Sequence, residues 1–431
     1  MLVPLTFLVA LLPIAGRGAS PSAQAATIAV IPANDFVPQR HCKDPLPSDL
    51  PHFSSTLPNA LATTVNALQS GATLVIDPAP NNGEYIVTAE MAITGKTDIT
   101  ICGAPGTHPR IKQTSNVWRI FTIGNSSNIT VEGLEIYSIY DANHDQVSGV
   151  QAIEGAHHVY IWDMWVHDVP ACGVCSARSA GHNDFRYNQI WRTAGYSRYN
   201  QSGISLFNNR NGGGGDDGYG YSDYLIGNMV WASQKVAGRT TDGNCIIMDN
   251  NNGVQKVPAY TGRTLIANNL CVANGGRGIH MLQSDNIDVF HNTLYHDLRG
   301  ASARGTGLDQ HQGEISVYYS SNLRIVNNLS VAIPYGNVYD TGSTGTNVVL
   351  LGNIFNGPTS RQPATGFTQL PGEIPFVRAQ ENPATADFRP APGSPVINAG
   401  VASSAARVLP AVDFNGKARN PNAPTVGAFE P

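Results

Sequence analysis

The chain has 431 residues, a formal net charge of −5, 13% charged residues and 42% hydrophobic ones. Charge this sparse, against roughly 25% in ordinary soluble domains, and negative in sum, argues against a general nucleic-acid binder, which needs basic residues to neutralise phosphates. The length is large for one compact domain and ordinary for a solenoid, whose repeats pack only on their neighbours.

Residues 1–25 read as a secretory signal. An apolar run from Leu2 to Ile14 precedes Ala23-Gln24-Ala25, an A-x-A cleavage pattern. The run is too short to span a bilayer as a helix, and no other segment is apolar enough to do so. A secreted protein is the expectation. Its six cysteines are Cys42, Cys102, Cys172, Cys175, Cys245 and Cys271. An even number in an exported chain permits disulfides, and the pairing stays open. Cys172 and Cys175 form a CxxC without the βαβ surroundings of a redox motif, so a local staple or two free thiols is expected.

Residues 26–56 are Pro-rich and read as an extended lead-in. Pro58 to Ser70 reads as a short helix with Leu61, Val65 and Leu68 on one face and Gly71 as its C-terminal stop. The stretches 71–87 and 98–106 read as the first strands, each with a turn. From residue 129 an eight-residue phrase recurs eight times: ITVEGLEI, VYIWDMWV, DFRYNQIW, YLIGNMVW, LIANNLCV, DVFHNTLY, RIVNNLSV and VLLGNIFN. Its fifth position is Gly133, Asp163, Asn188, Asn228, Asn269, Asn292, Asn328 and Asn353, spaced 23 to 41 residues apart. Asn, Asp and Gly tolerate positive φ, so this position is expected to bend the chain between two strands. Stacked asparagines can also bond from coil to coil. A second phrase falls between the repeats: GVQAI, GVCSA, GISLF, NCIIM, GIHML and EISVY. Each coil then holds a strand, a tight turn, a strand, a variable loop and a third strand.

This pattern resembles the pectate-lyase-like superfamily of right-handed parallel β-helix proteins. The expected class is all-β, with three-strand coils, an asparagine turn ladder and a short N-terminal capping helix. The stretch 71–87 resembles the opening of bacterial members, where the helix plugs the end of the core. The Pro/Gly-rich tail resembles their closing segment. The expected organisation is a signal at 1–25, a lead-in at 26–56, the β-helix with its cap at 57–386 and a closing segment at 387–431. Arg389, Asp413, Arg419 and Glu430 in the tail are expected to pair locally.

The third strand of each coil would form one flat sheet, walled by the loops before it. Strand alternation is expected to turn Ser205, Phe207, Ile246, Met248, His280, Leu282, Ser316 and Tyr318 outward. His280, stacked between Ile246 and Ser316, is then a candidate acid or base. The loops supply Arg198 and Tyr199, Lys235 and Arg239, Arg277, Arg304 and His311. Basic loops with aromatic platforms suit an anionic polysaccharide. We therefore expect Lys235, Arg239, Arg277 and His280 as catalytic residues, and Arg198, Tyr199, Phe207, Arg304 and His311 as substrate contacts. Asp242 and Asp217 are candidate ligands for Ca²⁺. Asp242 and Asp249 flank one strand and would lie roughly 20–24 Å apart if the chain ran straight, and Asp249 is also readable as a turn-ladder residue.

The resemblance implies a lyase that removes the proton beside a uronate carboxylate, with Arg or Lys as base. A non-catalytic carbohydrate-binding protein, a uronate epimerase and a glycoside hydrolase of the same fold remain open. The hydrolase ranks lower, since Asp216-Asp217 is a lone DD and no GHG follows. The RxPxxR of classical pectate lyases is also missing. A monomer acting on an acidic polysaccharide, with no nucleic acid and no membrane span, completes the expectation.

Overall fold

Alternating apolar residues make short strands, and each strand must be covered by the next coil. The computed structural model describes residues 42, 46, 49–217, 219–234, 236, 242–254, 258–300, 312–334, 336–341, 345–358, 365–404, 407 and 409–431. Among these, three parallel sheets hold 11, 11 and 9 strands. The first runs from His52–Phe53 to Val348–Leu351, the second from Tyr85–Val87 to Phe367–Gln369, and the third from Met91–Thr94 to Asn337–Thr341. One coil takes Asp223–Ile226, Met229–Trp231 and Ile246–Asp249 in turn, one strand to each sheet. The chain is a right-handed parallel β-helix, the hand that parallel crossovers adopt.

The turn between the first and second sheets refines the expected role of asparagine. The left-handed backbone falls on Gly133, Asp163, Tyr187, Gly227, Asn268, His291, Asn327 and Gly352. In the later coils this is the residue before the repeated asparagine. Tyr160 pairs with Asp184, so Met164 occupies the place of Asn188 and the first two phrases align one residue out of step. The asparagines Asn188, Asn228, Asn269, Asn292, Asn328 and Asn353 are fully buried and serve as the ladder. Each amide nitrogen donates to the next oxygen at 2.9–3.0 Å. Each also donates to a backbone carbonyl of the preceding coil, as Asn269 does to Leu225 O at 2.8 Å. Burial without such partners would cost about 1–3 kcal/mol per group.

The third sheet shows a one-residue correction. Cys245, not Asn244, takes the place of Gly203 and Gly278, since Ile204 pairs with Ile246 and Ile246 with Ile279. Ile246 and Met248 therefore face the core, while Ile247 and Asp249 face out. A slip of one residue exchanges the two faces of a strand. The core rows are then uniformly apolar: Val174, Ile204, Ile246, Ile279 and Ile315 beside Leu206, Met248, Met281 and Val317.

The helix spans Ala60–Ala67 and buries Leu61, Ala62 and Val65 over the first coil. Burying each large apolar side chain is worth about 1.5–3 kcal/mol. Leu68 already leaves the helical conformation, and Gly71 at φ 84 serves the turn beyond it. All six cysteines pair, as Cys42–Cys102, Cys172–Cys175 and Cys245–Cys271. The tail lies along the flank of the coils. Phe388, Ala428 and Phe429 cover Trp231, Leu270 and Val272. Arg419 is buried, pairs with Glu430 at 3.2 Å and reaches Asn268 Oδ1 at 3.0 Å. Arg389 pairs locally with Asp387.

Candidate functional site

Two rows of side chains leave the outer face of the third sheet. One runs Thr122, Gln151, Cys175, Ser205, Ile247, His280, Ser316 and Asp340. The other runs Ile153, Ala177, Phe207, Asp249, Leu282 and Tyr318. The loops between the second and third sheets rise beside them. A cleft of about 540 Å³ opens there, lined by Trp118, Arg119, Gln151, Arg178, Tyr199, Phe207 and Asp249 among others.

Each side chain has a local reason for its position. Arg119 opens the strand Arg119–Gly124, and its Nε donates to Gln151 Oε1. Burial weakens its hold on the proton, Glu90 and Glu154 counter this, and Arg178 adds repulsion. A guanidinium stays charged regardless. Arg178 follows the strand Val174–Ala177 in a left-handed turn, φ 57, which swings it over the sheet. It pairs with Glu154, whose other oxygen lies 3.7 Å from Arg210. Trp118 and Tyr199 form a rim. They are 49% and 50% exposed, with ring centroids 6.0 Å apart and planes tilted by 37°. Exposed paired aromatics with no apolar cover are suited to stack on a sugar ring.

Asp249 ends the strand Ile246–Asp249 and stacks between Phe207 and Leu282. It is only 8% exposed. Burial, with the charge of Asp242 added and a hydrogen bond from Asn250 opposing, raises its carboxyl to about 7. Gly243 N–H bonds to Gln201 O at 2.8 Å, in the register that sets Ile204 opposite Ile246, and Gln201 lines the cleft. Asp249 is thus a cleft carboxyl and not a turn-ladder residue; Asn250, at φ 56, takes that turn.

The other expected site residues disperse. Lys235, Arg239, Arg304 and His311 lie outside the described residues. Tyr199 and Phe207 line the cleft. Arg198 is held by Asp145 at 2.5 Å on the wall. Arg277 donates its backbone N–H to Asn244 Oδ1 and approaches His280. His280 is 5% exposed, so it is no open groove residue, and burial with the Arg277 charge keeps it neutral. Asp217 is on another face, where it accepts from the Tyr224 hydroxyl and the Tyr219 N–H. It does not join Asp242 in one ligand set. Among the described residues the one three-member group of potential ligands is Cys42, Cys102 and Glu132, and its sulfurs are joined in a disulfide.

Sequence reasoning missed Trp118, Arg119, Gln151 and Arg178. It confined the groove to the coils with long charged loops, whereas the cleft opens over earlier coils. The signal available was the stretch WRIFTIG, which is a third-sheet strand carrying Trp-Arg at its entrance.

No family model and no curated protein matches the chain. Among solved structures it is similar to the pectate lyase Pel9A, at 14% identity and a TM-score of 0.44, over 86% of this chain and 90% of that one. A PL6 alginate lyase in complex with a trisaccharide shares 14% identity at a TM-score of 0.35, over 78% and 64%. The catalytic unit of a GH87 α-1,3-glucanase from Streptomyces thermodiastaticus shares 12% at 0.32, over 76% and 66%. These likenesses concern the fold alone. No helix of the described residues is long and apolar enough to cross a membrane.

Proposed function

We propose that this protein is an exported polysaccharide lyase that cleaves a uronate-containing chain in the cleft on the third sheet. The observation that carries the reading is one cleft joining two arginines, an aromatic rim and a carboxyl titrating at about 7. Arg119 and Arg178 offer charge to a uronate carboxylate, where negative charge grows as the neighbouring proton leaves. Asp249, once ionised, is a base matched to neutral pH. The electron pair left behind forms the carbon–carbon double bond as the glycosidic oxygen departs. Trp118 and Tyr199 hold a neighbouring sugar ring. Export is supported by the apolar leader and by cysteines that are all paired, as an oxidising compartment favours.

The test is ultraviolet absorbance of the unsaturated product on incubation with pectate and alginate. An absorbance rise in the parent that Asp249→Asn and Arg119→Ala abolish is the expected result. New reducing ends without absorbance would support hydrolysis instead. Binding without either product would leave a carbohydrate-binding protein.

A further inference from the structure

A different face of the coil carries a charge cluster that the cleft does not use. Asp288 points outward from the first sheet yet is fully buried. Three guanidinium groups converge on it from separate parts of the chain. Arg263 precedes the strand Thr264–Ala267 and reaches Oδ1 at 2.5 Å. Arg324, its register partner one coil on, lies 3.4 Å away. Arg407 comes from the closing segment, with Nε 3.7 Å from Oδ2. The Tyr221 hydroxyl donates to the same oxygen at 2.8 Å. Three cations thus face one buried carboxylate. Each guanidinium has five donors, and none of these nitrogens is sealed away without a partner. The Arg263 and Arg407 side chains keep 10% and 26% of their surface exposed.

The cluster borders a cavity of about 320 Å³, with Arg263 and Arg407 in its lining. Asn211, Asn286, Asn322 and Tyr260 line it too, and the backbone of the 212–215 glycine run forms part of its wall. Asp216 is the one acidic residue of the lining, and it is exposed. Gathering like charges in a low-dielectric site is costly unless each is compensated. One carboxylate would suffice to dock one or two arginines; the third adds repulsion that an oxyanion would relieve. The amides and the phenol supply neutral hydrogen-bonding groups of the kind sugar hydroxyls use.

We propose that this cavity binds one acidic sugar residue, with its carboxylate or sulfate ester on Arg263 and Arg407 and its hydroxyls on the asparagines. It is separate from the cleft and does not depend on lyase activity.

The experiment is calorimetric titration of the full chain with glucuronate, glucose and inorganic sulfate, at constant ionic strength set with chloride. Glucuronate should bind the parent and Asp249→Asn alike, and glucose should not. Arg407→Gln should bind glucuronate about tenfold more weakly, as expected for one charge-assisted hydrogen bond. Asp216→Asn removes an exposed like charge and should bind it more tightly; this variant keeps the test decisive if Arg407→Gln fails to fold. Unchanged affinity in both variants, or sulfate binding without glucuronate binding, overturns the proposal. Loss of cleavage in Asp249→Asn with glucuronate binding intact would show that the two sites are independent.

Discussion

Substituting Asn269 by alanine probes the ladder in its middle. Asn269 donates to Leu225 O at 2.8 Å and Asn292 Oδ1 at 2.9 Å, and accepts from Asn228 N–H at 2.8 Å and Asn228 Nδ2 at 3.0 Å. The substitution leaves the Asn228 N–H without its ladder partner. Asn292 Oδ1 keeps the Asn269 N–H, and Asn228 Nδ2 keeps Phe185 O. One orphaned group at about 1–3 kcal/mol and three lost bonds at about 1 kcal/mol each give a cost of roughly 4–6 kcal/mol. That is a large part of the 5–15 kcal/mol that holds typical domains folded. Leucine at the same place should be nearly as costly. Leu134 precedes the asparagine run and Met164 meets its first member, so those coils have no upstream ladder amide to satisfy. The assay is urea unfolding followed by circular dichroism, with hydrogen exchange at the Asn228 amide as the local readout, because solenoids can open coil by coil. A loss below about 1 kcal/mol, with unchanged exchange at Asn228, would refute the reasoning that these amides satisfy the turn.

Four further outcomes follow from the cleft and the tail. If Asp249 is the base, activity should rise with pH through about 7 as its carboxyl ionises; a profile flat from pH 5 to 9, measured by initial rates, would remove it from the mechanism. The same group binds its proton more tightly folded than unfolded, so its contribution to stability falls as pH rises from the ordinary aspartate range of about 4 to about 7. Asp249→Asn should then melt later than the parent at pH 8 and show less of that decline. Trp118→Ala should weaken polymer binding by about 1 kcal/mol, or roughly fivefold, the scale of one aromatic contact, with secondary structure unchanged by circular dichroism; equal affinity for long oligosaccharides would dismiss the rim. Arg419→Met should destabilise by about 3–5 kcal/mol, since it strands the buried Glu430; thermal unfolding checks this, and a neutral result would mean that the closing segment does not rest on this pair.

The coil, its cap and its loop-walled face were legible because their causes are local. Period-two alternation, turn residues and a helical apolar stripe at Leu61 and Val65 are each complete within a few neighbouring residues. Even the ladder could be anticipated from the recurring asparagine. What needed the folded molecule was register between strands 20 to 40 residues apart along the chain. Loop insertions hide that register, so NCIIM was aligned on Asn244 when Cys245 holds the matching place. One residue of error turned Asp249 from a cleft carboxyl into an apparent turn residue. It also set Ile246 beside His280 where Ile247 stands. Electrostatics depend on the same proximity. The upward shift of Asp249 comes from burial and from the charge of Asp242, and the gathering of Arg263, Arg324 and Arg407 on Asp288 joins parts of the chain up to 144 residues apart. The amino-acid order by itself determined that this chain stacks into a parallel coil with a walled face. Only the tertiary structure decided which charges share a cleft, because an interaction between charges depends on distance in space and not on distance along the chain.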